Sequence, residues 1–171
     1  KTHIETLCTK LTMEIDSQRQ VLTKLFSLAE DRCLEAKSYN KLRIKDTNAF
    51  EDIYALLKEL SLAFQDILKD LTAMDNVFST LNSNQIKDLD VLKDNLNGYL
   101  SRYMETEGKI LQLLNPDLDN YALWIENDPN SERNVPISTF CYAPVEVAEH
   151  LNRLLYQNIP CLIFTSATLS I

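Results

Sequence analysis

An unbroken apolar repeat in the middle of the chain constrains its fold more than any other feature. Over residues 50–81, apolar side chains recur at alternating spacings of three and four. This period places them on one face of a single continuous helix, and a face of that length needs partner helices to cover it. We expect Asp46 or Thr47 to cap the start of this helix, and Asn82 or Ser83 to end it. The seam consists of Phe50, Ile53, Leu57, Leu60, Phe64, Ile67, Leu71, Met74, Phe78 and Leu81.

Two further helices are predicted, one before the seam helix and one after it. The first covers about residues 2–36 and carries the polar Gln18 inside its apolar stripe. The third covers about residues 84–114 and contains Gly98 and Gly108, which predict a bend or the close approach of a neighbour. The stripes are Ile4, Leu7, Leu11, Ile15, Leu22, Leu25 and Ala29 in the first helix, and Ile86, Leu89, Leu92, Leu96, Tyr99, Tyr103, Ile110 and Leu114 in the third.

The helical pattern stops at residues 115–117, where Pro116 lacks a backbone donor and restricts the residue before it. Residues 121–126 and 137–142 are typical of strands, and the polar stretch between them indicates a loop or a hairpin connection. A helix is expected from Pro144 to about residue 158, followed by a strand over residues 160–164.

These elements predict a mainly α fold. Three antiparallel helices would form an elongated bundle, about 50 Å long at 1.5 Å per residue, that needs no further element to bury its seams. A small α/β segment, strand-helix-strand, would follow it. We therefore expect a helical unit over residues 1–115 and a partial α/β unit over residues 116–171.

The charge of the chain argues against strong DNA binding by the chain alone. The formal net charge is −8. Neither predicted unit is basic, because residues 1–115 carry 15 basic and 18 acidic side chains and residues 116–171 carry 2 and 7. The longest apolar runs fall far short of the roughly 20 residues of a membrane span. The four cysteines have no metal-ligand spacing and are expected to be free thiols in a reducing cytoplasm.

The last apolar run of the chain leads directly into hydroxyl residues. Residues 160–164 have the pattern of a buried parallel strand, and Thr165, Ser166 and Thr168 follow it. Open α/β sheets place their ligand chemistry at the carboxyl ends of such strands. The alternative is a hydroxyl-stabilised turn that only closes the strand.

This ending, Ile163-Phe164-Thr165-Ser166-Ala167-Thr168-Leu169-Ser170, resembles motif III of superfamily 2 helicases, in the form found in the DinG/XPD-like branch of DEAH-type DNA helicases. Residues 121–126 and 141–147 are similar to the stretch that leads into this motif. The resemblance covers the last third of the chain. It implies that Thr165, Ser166, Ala167 and Thr168 couple ATP hydrolysis to DNA translocation, and that the helical unit corresponds to the arch domain of that branch.

Other motifs of such helicases are missing from the chain. The sequence contains no G-x-x-x-x-G-K-[ST] phosphate loop and no Asp-Glu-x-His for magnesium, so no catalytic residue is assigned and the chain alone should not hydrolyse ATP. We expect an interior segment of a longer enzyme. No cofactor should bind this segment, whereas the resemblance implies ATP and magnesium for the intact parent and the remaining motor domains as partners.

A second candidate site is the basic connection between the first two helices. Lys37, Tyr39, Lys41, Arg43 and Lys45 lie within nine residues that contain no acid. Cations beside an aromatic side chain suit a single-stranded DNA backbone with one stacked base. The alternative is a solvated basic loop at the negative end of a helix.

Single aromatic and histidine residues offer weaker signals of function. Trp124 is expected to be a core strand residue, with stacking on nucleic acid as the alternative. His3 and His150 have no recognisable metal partners. Two other functions stay open: a helical protein-interaction module, which the seam favours, and the helicase-like part of a bacterial exonuclease.

Overall fold

Three long helices make up most of the described chain. The computed structural model describes residues 2–36, 41–81, 88–128 and 137–161. The helices are α1 (Thr2–Glu35), α2 (Glu51–Thr80) and α3 (Leu89–Leu114). Three strands, β1 (Lys41–Ile44), β2 (Tyr121–Asp128) and β3 (Ile137–Pro144), complete a mainly helical fold with a small antiparallel sheet.

Helix α2 begins where the capping signals predict. The side chain of Asp46 accepts a hydrogen bond of 3.0 Å from the backbone N–H of Asn48, opening a single 3₁₀ turn over Thr47–Phe50. The α-helix continues from Glu51, and Glu51 and Asp52 stand in its first turn, where negative charge complements the helix dipole. Asp46 therefore caps the 3₁₀ turn, as a start signal near this position predicts, whereas the N-cap residue of α2 itself is Phe50, which makes no side-chain cap hydrogen bond. Asn82 and Ser83 fall outside the described residues.

The seam of α2 is buried as predicted. Its central members lie against both α1 and α3, so α2 is the helix that the other two share. Asp70, Ser61 and Tyr54, which flank the seam, are also buried. The buried seam residues are Ile53, Leu57, Leu60, Phe64, Ile67, Leu71 and Met74.

The buried side chains form two clusters along the helices. The first joins α1, α2 and α3 to the sheet and includes Val21, Leu25, Ile53, Leu123 and Ile125. The second contains helical residues alone, namely Leu7, Leu11, Ile67, Leu71, Met74 and Leu96. Tyr103 of α3 packs against both clusters.

The predicted stripes of α1 and α3 are wrong at individual positions. Ile15 is 41% exposed and Val21, which was not in the predicted stripe, is buried, whereas Gln18 is only 4% exposed, as its place inside the stripe predicts. On α3, Leu92 and Tyr99 are exposed. A helix has 3.6 residues per turn, so either of two neighbouring positions can make an inward contact. The position of the partner helix decides which of the two is buried.

The two glycines of α3 have no packing role. A Cβ atom added to Gly98 or Gly108 would meet no atom of the described chain within 4 Å, apart from its chain neighbours and the backbone of its own helix. The predicted close approach of a neighbour is therefore wrong, and both glycines lie on the open side of the helix.

The sheet has the order β1-β2-β3 and is antiparallel throughout. The predicted strands over 121–126 and 137–142 are confirmed as the hairpin of β2 and β3. Strand β1 was predicted to be part of a turn, and that prediction is wrong. Leu42 and Ile44 pair opposite Ile125 and Leu123, so the segment gains ladder hydrogen bonds and buries an apolar edge.

Pairing of β1 with β2 also links the two predicted units. Ile44 belongs to residues 1–115 and Leu123 to residues 116–171, yet both are buried in the same cluster. The division at residue 115 stays a prediction, but the described residues on its two sides share one core.

The end of the described chain differs from the predicted helix and strand. Pro144 is the last residue of β3, opposite Tyr121, and therefore does not start a helix. Helix α4 spans only Ala148–Leu151 and continues as a π-helical turn over Asn152–Tyr156. Pro160 and Cys161 are exposed and belong to no strand. The rest of the predicted terminal strand, with Thr165, Ser166, Ala167 and Thr168, lies outside the described residues.

Candidate nucleic-acid interface

The sheet has one face toward the helices and one face away from them. Residues alternate along each strand, so the inward set is mostly apolar and includes Ile44, Leu123 and Ile125, together with the buried polar pair Asn127 and Ser138. The outward set, called the outer face here, consists of Lys41, Arg43, Ala122, Trp124, Glu126, Thr139, Cys141 and Ala143.

Arg43 and Trp124 are direct register partners on the outer face. Opposite residues of an antiparallel pair have Cβ atoms about 4.5–5.5 Å apart, so the two side chains are neighbours. Arg43 is exposed, and within the described ranges it forms no ion pair and no side-chain hydrogen bond. Trp124 is half-buried, and among the described side chains no aromatic ring stacks on it.

Lys41, Glu126 and Trp124 form a connected polar contact on the same face. Lys41 Nζ lies 3.0 Å from Glu126 Oε1, and the indole Nε1 of Trp124 donates to Glu126 Oε2 at 3.4 Å. These contacts, that of Lys41 first, lower the pKa of Glu126 below its ordinary value. Glu126 is therefore a charged residue that orients Lys41 and Trp124.

Cys141 is the register partner of Trp124 on the other side. Burial, and then the nearby charge of Glu126, raise the pKa of its thiol. A thiol with a raised pKa is mostly protonated near neutral pH and a poor nucleophile. Cys141 therefore contributes packing beside the indole.

Three of the five predicted basic-site residues are described. Lys41 and Arg43 lie on the outer face, and Lys45 is exposed just after β1. Lys37 and Tyr39 lie outside the described residues. The sequence interpretation missed the link to Trp124 and Glu126. The signal was present, since Leu123 and Ile125 alternate with Ala122, Trp124 and Glu126, which places the last three on one face.

A separate apolar cavity lies between the helices and β3. It has a volume of about 330 Å³ and is lined by Leu25, Phe26, Phe64, Ile110 and Phe140, among others. Lys109 at its rim is 2.6 Å from Glu105. Lys109 is the one titratable side chain among the described lining residues, and the lining is otherwise mostly apolar, so this space suits an apolar group.

The described ranges show no sign of a metal site or a disulfide. No cluster of three or more potential metal ligands occurs there, and Cys8, Cys33, Cys141 and Cys161 are all free thiols. His150 meets the ring of Tyr121 edge-on, with 6.4 Å between ring centroids. No helix among residues 2–36, 41–81, 88–128 and 137–161 is both long and apolar enough to cross a membrane.

The segment that follows β3 exposes an apolar surface. In residues 145–159, every large apolar side chain is at least 38% exposed, and none joins either buried cluster. These side chains are Val145, Val147, Leu151, Leu154, Leu155, Tyr156 and Ile159. Exposed apolar side chains concentrated in one short segment are typical of an interaction surface.

The chain was compared with protein-family models, with curated proteins and with solved structures, and no match was found. What the outer face can bind is therefore inferred from its own residues. Arg43 has no acid partner and Trp124 no ring partner among the described residues, and with an exposed lysine nearby this face can bind a phosphate and a stacked base at the same time.

Proposed function

We propose that this chain is part of a DinG/XPD-like, ATP-dependent DNA helicase. Residues 1–115 act as an arch-like domain, an elongated three-helix bundle that guides single-stranded DNA. Residues 116–171 belong to a motor domain, in which Thr165, Ser166, Ala167 and Thr168 couple ATP hydrolysis to translocation. The motif III resemblance of those residues supports the family, and the exposed apolar surface of residues 145–159 supports a larger motor domain around them.

The observation that carries the DNA-guiding role is the outer face of the sheet. Lys41 and Arg43 come from the helical segment, and Trp124 comes from the segment that leads toward motif III. Because β1 and β2 are hydrogen-bonded neighbours, a strand held there contacts both segments at once. DNA bound at this face is therefore placed to couple the helical segment to the motor domain.

ATP and magnesium belong to the intact enzyme in this proposal. The sequence offers no phosphate loop and no Asp-Glu-x-His, so its residues do not fit a nucleotide site of their own. The sequence that flanks this chain in its gene tests the family. We expect an Asp-Glu-x-His motif upstream and an arginine-bearing motor motif downstream, and the lack of both would overturn the assignment.

The DNA role is tested by titrating the chain against a fluorescently labelled single strand of thymidines at two salt concentrations. The variant Lys41→Ala, Arg43→Ala, Lys45→Ala should bind roughly tenfold more weakly at low salt and show a smaller salt dependence, because phosphate contacts release counterions. The matched control, Lys24→Ala, Lys58→Ala, Lys69→Ala, removes three exposed cations elsewhere and should bind like the parent chain. Equal weakening by both variants would mean that only net charge matters.

A helical interaction module is the second candidate, favoured by the exposed Leu92 and Tyr99 on the predicted stripe of α3. It predicts that the chain self-associates or binds a protein through α3. Sedimentation of the chain and of a Leu92→Ser, Tyr99→Ser variant tests this function, since a monomer in both cases at high concentration excludes self-association through α3.

A further inference from the structure

The indole of Trp124 is held in a defined orientation on an open surface. Its Nε1 donates to Glu126 Oε2 at 3.4 Å, and Glu126 is in turn held by Lys41 at 3.0 Å. A side chain that is oriented before it binds loses less conformational entropy on binding. The indole ring is therefore already oriented for stacking against a planar group.

The register neighbours of Trp124 leave room beside the ring. Cys141 stands directly opposite it, and Ala122 pairs with Ala143 at the next outward position. These side chains are small, and no aromatic ring contacts Trp124 within the part of the chain that is described. A half-buried indole in such surroundings has a free aromatic surface, which an ordinary core tryptophan lacks.

The charged residues around Trp124 determine which kind of planar ligand can bind there. Arg43 lies opposite Trp124 and has no acid partner among the described residues, and Lys45 is exposed at the end of the same strand. In a chain with a net charge of −8, this is a local excess of positive charge next to an aromatic ring. A nucleotide satisfies both groups, since its base stacks on the ring while its phosphate contacts the guanidinium.

We propose that Trp124 is a base-stacking residue for single-stranded DNA, with Arg43 holding the adjacent phosphate and Glu126 acting as a positioning residue for the indole. This inference rests on the proposed function and names the contact through which the outer face recognises its substrate. Paired bases in a duplex are already stacked on each other. Trp124 therefore selects single strands over duplexes.

Trp124 is the one tryptophan of the chain, so its fluorescence reports on this contact alone. Binding is followed by anisotropy of a labelled strand, and stacking by quenching of the indole emission in the same titration. A thymidine strand should raise the anisotropy and quench Trp124 together. An abasic strand of equal length should still bind weakly through its phosphates but leave Trp124 unquenched, and a blunt duplex should not quench it either.

Substitutions test the contribution of the ring. Trp124→Leu should weaken binding of the thymidine strand roughly five- to hundredfold, the range measured for loss of one stacking side chain. Trp124→Phe keeps an aromatic face and should recover most of the affinity. Tyr99→Leu removes an exposed aromatic side chain from α3 and should have no effect. Thermal unfolding followed by circular dichroism shows whether each variant is folded, and the abasic-strand comparison needs no variant.

The outcomes separate this inference from the proposed function. One outcome is that the parent chain binds the strand and the triple cation variant does not, which supports the DNA-guiding role. If Trp124→Leu then binds normally, or the Trp124 emission does not change on binding, the stacking role is wrong. If the parent chain binds no strand even at low salt, both are wrong. Equal quenching by thymidine and abasic strands would also overturn stacking, because it would show that no base is needed.

Discussion

The hydroxyl of Tyr103 on α3 donates a hydrogen bond of 3.2 Å to Oε1 of Gln18 on α1. Gln18 is almost fully buried, and burial raises the pKa of the Tyr103 phenol, which keeps the hydroxyl protonated as a donor. Tyr103 packs against both apolar clusters, so this polar contact lies where the two meet. The Nε2 of Gln18 is buried without a hydrogen-bond partner in the described structure.

We expect Tyr103→Phe to lower the free energy of unfolding by about 1–2 kcal/mol, because it leaves the buried Gln18 Oε1 unpaired. Gln18→Leu removes both polar atoms of the side-chain amide, and the double variant should be more stable than the sum of the single effects predicts. Urea unfolding of the four proteins gives the coupling free energy. Strictly additive effects would show that the hydrogen bond does not contribute to stability.

Two leucines on α2 provide a matched test of the seam. Leu57 is 2% exposed and lies in the first cluster, whereas Leu62 is 63% exposed on the same helix. Leu57→Ala should cost about 2–5 kcal/mol of unfolding free energy because it opens a cavity in a packed core. Leu62→Ala should change that free energy by less than about 0.5 kcal/mol. Similar costs for both, measured by urea unfolding, would contradict the buried face described for α2.

Replacing either glycine of α3 by alanine should stabilise the protein. Neither has a positive φ, and a Cβ atom at either position meets open space. Gly98→Ala and Gly108→Ala should each raise the unfolding free energy by about 0.5–1 kcal/mol, since alanine has less backbone freedom to lose on folding. Ala55→Gly, at an exposed position of α2, is the reverse control and should cost a similar amount. A loss of stability in the α3 variants would indicate that these glycines have a conformational role.

The pH dependence of Trp124 emission tests the orientation of the outer face. Lys41, and then the indole N–H, lower the pKa of Glu126 from its ordinary value of 4.5. A carboxylate with a lowered folded-state pKa stabilises the fold above its ordinary pKa, and this contribution disappears as the pH falls through the lowered value. The emission of Trp124 should therefore change below pH 4.5, while the contact with Glu126 is lost.

Variants identify the group that titrates. Glu126→Gln should abolish the acidic change in Trp124 emission. Glu105→Gln should leave it intact, although Lys109 lowers the pKa of Glu105 in a similar way on α3. Circular dichroism over the same pH range separates this local event from acid unfolding of the helices. An unchanged transition in Glu126→Gln would show that another group is responsible.

Some features could be predicted because they depend on neighbours along the chain. The period of the seam, the Asp46 cap and the end of α3 near Pro116 are set by local geometry, so the predicted helices agree with α1, α2 and α3 to within a few residues. The hairpin strands were also recognisable, since their apolar runs are bounded by polar residues.

The candidate site could be predicted only in part. The excess of cations over residues 37–45 was visible in the sequence, but nothing nearby in the chain indicated that Arg43 lies opposite Trp124, 81 residues later. Sheet register depends on which edge a strand finds, and a short segment such as β1 becomes a strand only because β2 offers an unpaired edge. The partner for Gln18 and the exposure of Ile15 depend on packing in the same way.

The helices and their apolar faces follow from the amino-acid sequence, because helical period and caps act over a few residues, and the positive charge of one connection is visible there as well. Folding in three dimensions was needed to make this connection a strand and to place Arg43 beside the indole of Trp124. The physical reason is that pairing between distant segments is selected by the burial of Leu42 and Ile44 against β2, a gain in free energy that does not exist until the chain has folded.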